Sequence, residues 1–123
     1  MRLYGIRGAV CCENTVEDIK INVGEMCGKI FSENGLKSEN IVSVQFTVTP
    51  DLTALNPAAA LRRSGIDFDV SSLALFCSAE PVVEKSLPRT IRVLVTAYMD
   101  EEKERCHIYL NGAEVLRPDF VRK

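Results

Sequence analysis

The nine residues Ile41-Val42-Ser43-Val44-Gln45-Phe46-Thr47-Val48-Thr49 carry the clearest pattern in the chain, because apolar and polar side chains alternate along them. Successive side chains of a β-strand point to opposite faces of the sheet, so the alternation predicts a strand over residues 41–49. The four apolar side chains, beginning with Val42, would share one face. We therefore expect a sheet with one face covered by a helix, and a semi-polar face that meets water or a second subunit.

Helix and strand signals on either side of this stretch predict the rest of the topology. Apolar residues recur at helical spacing after Asn14, which we expect to cap a helix that ends at Asn34-Gly35. Asn56-Pro57 is typical of the start of a short second helix, over residues 58–63. The predicted order is β-α-β-α-β-β-β, an α+β fold with a mixed β-sheet and helices packed on one face. The other strand candidates are residues 2–10, 73–77, 90–98 and a hairpin, 106–116, that turns at Asn111-Gly112.

Length and composition limit the possible functions. With 123 residues, 46% of them apolar and 26% charged, the sequence predicts a single domain over residues 1–123. A net charge of −2 and a pI near 5.4 give no general attraction to nucleic acid or to a membrane surface. The apolar runs are too short to span a bilayer and no secretory signal is visible, so we expect a cytoplasmic protein.

The cysteines and the single histidine argue against a metal site. The five cysteines are odd in number, scattered in spacing and without a C-x-x-C pair. His107 alone cannot supply a cluster of metal ligands. Cys106 precedes it directly, and neighbouring strand residues point to opposite faces, which disfavours a cysteine–histidine catalytic pair. We predict reduced thiols and no metal.

A lone arginine inside an apolar strand candidate marks the main candidate site. Arg92 is the only charge in residues 90–98, and Glu80 follows the uncharged residues 73–77. A buried arginine is costly unless it is paired or faces a wet pocket. Two readings of these residues stay open: a structural Glu80–Arg92 salt bridge, or two groups that face one polar cavity.

Other chemistries lack their signatures in this sequence. There is no G-x-S-x-G for a serine hydrolase, and Gly5-Ile6-Arg7-Gly8-Ala9 lacks the spacing of a phosphate-binding loop. Its two glycines instead suggest a close backbone approach or a bulge. A site that binds a small dianion and acts by shape and electrostatics remains. Its candidate residues are Arg7, Arg62, Arg92 and Arg117, with Glu80 and Tyr109 to orient a hydroxyl or carboxylate.

Several of these pieces, taken in order, resemble one known family. Each piece is weak by itself, but together they extend over nearly the whole chain. The chain resembles the small monofunctional chorismate mutases of the AroH class. The matching segments are Gly5-Ile6-Arg7-Gly8-Ala9, Thr49-Pro50-Asp51-Leu52, Pro57-Ala58 with Arg62, Cys77 with Glu80, Ile91-Arg92-Val93, His107-Ile108-Tyr109-Leu110 and Leu116-Arg117-Pro118-Asp119.

The resemblance implies an assembly and a reaction. It implies a homotrimer whose sheets form a pseudo-α/β-barrel, an architecture like that of the RidA class, with active sites in clefts between adjacent subunits. The implied reaction is the concerted sigmatropic rearrangement of chorismate to prephenate, on the route to phenylalanine and tyrosine, with no covalent intermediate and no cofactor. The implied partners are chorismate, prephenate and further copies of the chain.

The resemblance also implies roles for individual residues. Arg92 matches the cation at the breaking ether oxygen, and Glu80 matches the acid that accepts a hydrogen bond from the ring hydroxyl. Arg7 and Tyr109 match groups that contact substrate carboxylates. Cys77 is expected near the ring hydroxyl. The segment expected to line the substrate ring is Phe76, Cys77, Ser78 and Ala79.

Two positions depart from the family pattern. The family often has an aromatic residue before Pro57 and a basic residue after Ala58, where this chain has Asn56 and Ala59. We expect these differences to weaken the entrance of the site and to raise the Michaelis constant. Two alternatives remain at this stage: a trimeric homologue that binds a small anion without catalysis, and an enamine/imine deaminase of the RidA class.

Overall fold

The computed structural model describes residues 1–120, which form a five-stranded sheet with two α-helices. The predicted α+β class is confirmed. None of the described helices is long and apolar enough to cross a membrane. Short 3₁₀ turns occupy Ser38–Asn40, Ala113–Leu116 and Pro118–Phe120. The strands are β1 (Arg2–Cys11), β2 (Ile41–Val48), β3 (Leu75–Ala79), β4 (Thr90–Met99) and β5 (Ile108–Leu110), and the helices are α1 (Val16–Glu33) and α2 (Pro57–Arg63).

The sheet is mixed, with the strand order β3-β2-β4-β1-β5. Strand β4 lies at the centre and pairs antiparallel with both β1 and β2. The two edge strands are parallel to their neighbours, β3 to β2 and β5 to β1. The third strand lies two residues later than predicted, at Leu75–Ala79 and not at 73–77. This shift brings the end of β3 close to Glu80.

One half of the sheet's side chains packs under the helices. Ile6, Val44, Phe46 and Val95 are fully or almost fully buried, and the apolar stripe of α1 lies against them. We call this side of the sheet the helix face and the other side the open face. The open face carries the alternate side chains Leu3, Arg7, Ser43, Gln45, Thr47, Phe76, Ser78, Arg92, Leu94, Thr96 and Tyr98.

The alternation of buried and exposed side chains in β2 is interrupted at the start of the strand. The pairing moves from Ile41 opposite Ala97 to Ser43 opposite Thr96, so Val42 is an extra residue in the ladder. Such a bulge shifts the facing of the residues before it. Val42 is consequently 48% exposed, and Ile41 packs against the core in its place. The prediction that Val42 shares the core face was wrong.

The helix ends follow local capping chemistry. Helix α1 is capped by Thr15, whose hydroxyl accepts a hydrogen bond from the Asp18 amide at 3.0 Å, and not by Asn14 as predicted. The Asn14 side chain instead accepts from the amides of residues 53 and 54, and so ties the loop after β2 to α1. Gly35, with φ of +61°, follows the helix as predicted. Asn56 caps α2 as predicted, accepting from the Ala58 amide at 2.8 Å.

The predicted hairpin over residues 106–116 is wrong. Asn111 and Gly112 do adopt positive φ values, +55° and +104°, as the Asn-Gly pair suggested. The Asn111 amide group, however, donates to Asn22 and Glu25 of α1, at 2.5 and 3.0 Å, which holds the turn on the helix. The chain then enters a 3₁₀ turn whose first residue, Ala113, is fully buried. Among the described strands, β5 therefore pairs with β1 alone.

Candidate active site

A single row of side chains crosses the open face on all five strands. The β-pairing places Thr47 opposite Arg92, and Arg92 opposite Ala9. The parallel edges extend the row, with Ser78 beside Thr47 and Tyr109 beside Ala9. Directly paired residues of a sheet share a face, so these side chains project to the same side. The row connects the two residues that the sequence singled out, Arg92 and Tyr109, through the small side chain of Ala9.

Glu80 and Arg92 form an ion pair at one end of this row. The Arg92 Nε lies 3.5 Å from the Glu80 Oε1. The Thr47 hydroxyl donates a hydrogen bond to the same oxygen. The Glu80 backbone amide donates to the Val48 carbonyl at 2.9 Å, which continues the β3–β2 pairing by one residue. Glu80 is thus fixed through both its backbone and its side chain, and its side chain is only 17% exposed.

The pair leaves part of each partner unused. Within residues 1–120, the Arg92 Nη1 and Nη2 atoms and the Glu80 Oε2 make no hydrogen bond to the protein. A structural ion pair between arginine and a carboxylate is frequently bidentate, with two parallel N–H···O bonds. Here contact is made through one nitrogen and one oxygen, and the Arg92 side chain stays 49% exposed. This geometry favours two groups that face a polar cavity over a self-sufficient salt bridge.

Both residues line a cavity of about 220 Å³. One wall is rigid, because the Thr90 amide donates to the Thr49 hydroxyl at 2.9 Å, and that hydroxyl donates to Asp51 at 2.6 Å. The cavity is smaller than the roughly 300–1,000 Å³ of most small-molecule sites. Its lining residues are Thr49, Glu80, Pro81, Val83, Ser86, Leu87, Thr90 and Arg92.

Comparison with known proteins identifies the family. The family model for chorismate mutase type I matches residues 3–120. The chain belongs to the type I chorismate mutase family. The resemblance inferred from the sequence is thereby confirmed, and with it the assignment to an enzyme family of aromatic amino acid biosynthesis. Nothing in this membership favours a RidA-class deaminase.

Individual relatives agree with the family match. The chain is 42% identical over 119 residues to the chorismate mutase AroH of Thermus thermophilus, covering 94% of each chain. It is 37% identical over 123 residues to the chorismate mutase AroH of Bacillus subtilis (strain 168), covering 98% of this chain and 94% of the relative. A solved chorismate mutase structure from Clostridium thermocellum superposes with a TM-score of 0.79 at 37% identity, covering 91% of this chain and 98% of that one. The α+β fold predicted from the sequence is therefore the fold of a known chorismate mutase.

A second group of polar residues gathers at the β1–β5 edge of the open face. We call Arg7, His107, Tyr109, Arg117 and Asp119 the edge cluster. The Arg7 amide donates to the His107 Nδ1 at 2.9 Å. Burial lowers the pKa of His107, and the positive charges of Arg7 and Arg117 lower it further. Arg117 donates to both carboxylate oxygens of Asp119, at 3.0 and 2.6 Å.

The edge cluster contains two of the predicted substrate-binding residues. Arg7 pairs with Leu94 on the open face, and Tyr109 belongs to the row of Arg92. Neither residue lines the cavity at Glu80 and Arg92. Within one chain, Arg7 and Tyr109 therefore lie on the same face as Arg92. Of these three residues and Glu80, only Glu80 and Arg92 line the cavity.

The predicted ring-lining segment is divided between the two faces of β3. Phe76 and Ser78 lie beside Gln45 and Thr47 on the open face, and the Phe76 side chain is 66% exposed. Cys77 lies on the opposite side, packed against the core, and burial raises the pKa of its thiol. Ala79 alternates with Ser78 and so shares the side of Cys77. Within one chain, Cys77 does not reach the Glu80–Arg92 pair.

Other predicted features are also distributed along the chain. Arg62 lines a larger cavity, of about 570 Å³, formed with the segment that follows α2, and this cavity includes neither Glu80 nor Arg92. The five cysteines are free thiols. Within residues 1–120, no three histidine, cysteine or acidic side chains are grouped as they would be around a metal ion. Sequence reasoning missed Thr47, because only the strand register shows that it lies opposite Arg92.

Proposed function

We propose that this chain converts chorismate to prephenate, as an isomerase of phenylalanine and tyrosine biosynthesis. One observation carries the proposal: the Arg92 guanidinium is aligned by Glu80, while its two Nη groups have no hydrogen-bond partner among the described residues and lie beside the cavity. Family membership over residues 3–120 supplies the substrate class. A cytoplasmic location belongs to the same proposal, because it suits an enzyme of amino acid biosynthesis.

Arg92 would act on the charge that develops during the reaction. In the rearrangement, the carbon–oxygen bond of the ether breaks as a new carbon–carbon bond forms, and the ether oxygen gains negative charge in the transition state. A fixed cation binds that oxygen more strongly in the transition state than in the ground state, and this difference accelerates the reaction. A preorganised donor of this kind is worth roughly 3 kcal/mol or more. No nucleophile, metal or cofactor is needed.

The other residues would bind and shape the substrate. Glu80 Oε2 would accept a hydrogen bond from the ring hydroxyl. Arg7 and Tyr109 would contact the carboxylates, and Phe76 to Ala79 would line the ring, with Cys77 near the hydroxyl. Together they would hold the chair-like conformer in which the reacting carbons meet, which removes an entropic part of the barrier.

We further propose a homotrimer with active sites between subunits. Four large apolar side chains of the open face are 38–66% exposed in the single chain: Leu3, Phe76, Leu94 and Tyr98. Exposed apolar surface of this kind is typical of an interface. The cavity at Arg92 is small and neither Cys77 nor Arg62 lines it, which also suits a site that a second subunit completes. A Cys77 packed on the far side of edge strand β3 would then serve a neighbouring site.

The direct test is the loss of chorismate's ultraviolet absorbance with purified protein, with prephenate identified as the product. A mock purification from cells that lack the expressed chain controls for a contaminating mutase. We expect turnover in the first preparation only. Absence of turnover, together with tight binding of a transition-state analogue, would support a non-catalytic binding homologue instead. The binding homologue is the second candidate because this chain has Asn56 and Ala59 at the expected entrance, where the family often has an aromatic and a basic residue.

A further inference from the structure

Thr47 lies behind the Glu80–Arg92 pair and outside the cavity. Its hydroxyl donates to Glu80 Oε1, the same oxygen that Arg92 Nε approaches at 3.5 Å. It stands directly opposite Arg92 in the β2–β4 ladder. It is absent from the residues that line the cavity, whereas Glu80 and Arg92 both line it. Thr47 is therefore placed to act on a substrate in this cavity through these two residues.

We propose that Thr47 is a positioning residue that keeps the Glu80–Arg92 pair from closing into a bidentate salt bridge. The inference rests on the proposed chorismate mutase activity and adds to it a residue that acts through Glu80. By holding Oε1, Thr47 fixes the rotation of the carboxylate. Oε2 then remains available to the substrate hydroxyl, and the Nη groups of Arg92 remain available to the ether oxygen.

The preferred geometry of the ion pair explains why this restraint is needed. Arginine and carboxylate groups favour two parallel hydrogen bonds, which would use an Arg92 Nη together with both Glu80 oxygens. The terminal torsion of a glutamate side chain is broad and offers little resistance to such a rotation. The Glu80 backbone is held by Val48, but that contact does not orient the carboxylate. Among the described residues, only the Thr47 hydroxyl and Arg92 make a hydrogen bond or an ion pair with the carboxylate.

The two threonine hydroxyls nearest to Thr47 along the cavity wall already have other partners. Thr49, two residues further along the chain and just past the end of β2, already donates to Asp51 and accepts from the Thr90 amide. Thr90 donates to carbonyl oxygens of residues 87 and 88. Loss of the Thr47 hydroxyl would therefore leave Arg92 as the remaining partner of the carboxylate. Glu80 Oε2 and an Arg92 Nη group would then bind each other and would no longer be available to the substrate.

The test is a comparison of Thr47→Val and Thr47→Ser with the wild-type enzyme. Valine keeps the shape and removes the donor, and serine restores it. For Thr47→Val we expect kcat to fall roughly tenfold or more, the size expected for a hydrogen bond to a charged group, with a smaller change in KM. Thr47→Ser should recover most of kcat. Thr96→Val makes the same change elsewhere on the open face and should leave kcat within about twofold of wild type.

A double-mutant cycle separates positioning from a general structural effect. In a Glu80→Ala background, Thr47→Val should change kcat by less than about twofold, because the carboxylate that it positions is gone. An equal loss in both backgrounds would overturn the proposal, as would full activity of Thr47→Val. A wild-type enzyme that fails to turn over chorismate would instead refute the proposed function itself, so the two failures are distinguishable.

Discussion

The two faces of the sheet are built from the same strands and do different things. On the helix face, Val44 and Val95 are fully buried in a dry core. On the open face, one residue further along each strand, Gln45 and Thr96 share a side of the sheet with the half-exposed Arg92. Alternation of a single strand thus separates the residues that hold the fold from those that carry the chemistry. We expect substitutions on the helix face to lower stability and substitutions at the Glu80–Arg92 end of the open face to lower turnover.

The largest effect on stability is expected inside β2, where Val42 is the bulged residue and Val44 belongs to the regular ladder that follows. Val44→Ala deletes buried atoms and should cost about 2–3 kcal/mol of unfolding free energy, from lost burial plus a cavity. Val42→Ala, at a position that is 48% exposed, should cost less than about 1 kcal/mol. Urea unfolding of both variants measures the difference. Equal costs would mean that Val42 belongs to the core and that the bulge is absent.

The same glycine-to-alanine substitution can be made on each face of β1, at Gly8 on the helix face and at Gly5 on the open face. A Cβ on Gly8 would lie 2.9 Å from the Ile108 carbonyl oxygen and 3.0 Å from Ile30, so Gly8→Ala should cost about 1–3 kcal/mol. A Cβ on Gly5 would meet only the end of the Leu94 side chain, at 3.3 Å, and that side chain can move. Gly5→Ala should stay within about 1 kcal/mol of wild type. Thermal unfolding of the two variants measures both losses of stability. A larger loss for Gly5→Ala than for Gly8→Ala would contradict the assignment of the two faces.

The smallest expected effect is a pH dependence at the edge cluster. His107 has a lowered pKa in the folded state, so below its usual value of 6.5 the unfolded chain binds a proton that the folded chain resists. The His107 contribution to stability is therefore complete above pH 6.5 and is lost as the pH falls towards the folded pKa. His107→Asn keeps an acceptor for the Arg7 amide and removes the titration. Unfolding at pH 5 to 8 should show a shallower acid loss in the variant, and parallel curves would contradict the assignment.

The sequence predicted most of the fold through local signals. Alternation located β2, helical spacing located α1, and Asn56 before Pro57 located the start of α2. The errors arose where tertiary contacts override local preference. Asn111-Gly112 carries the chemistry of a hairpin turn, yet hydrogen bonds from Asn111 to α1 divert the chain. Val42 continues the alternation, yet a bulge exposes it.

The candidate site could be predicted only in part, because local signals identify single residues while tertiary contacts bring them together. A lone Arg92 in an apolar strand is visible in one dimension, and so is Glu80 after the neighbouring apolar segment. Their contact and the role of Thr47 depend on strand order and register, because β2 lies between β3 and β4 and places Thr47 against residues 33 and 45 positions away in the sequence. Cys77 looks like a neighbour of Glu80 in the sequence, but the two-residue period of the strand turns it to the other face.

The most direct test of the division between faces is Arg92→Ala, measured beside wild type for both turnover and unfolding. Arg92 is half exposed, so the stability cost should stay below about 1 kcal/mol. The loss of the cation should lower kcat about 100-fold or more, with a smaller change in KM. A variant that unfolds early yet keeps near-normal kcat would contradict the account, because Arg92 would then be a structural ion pair and nothing more.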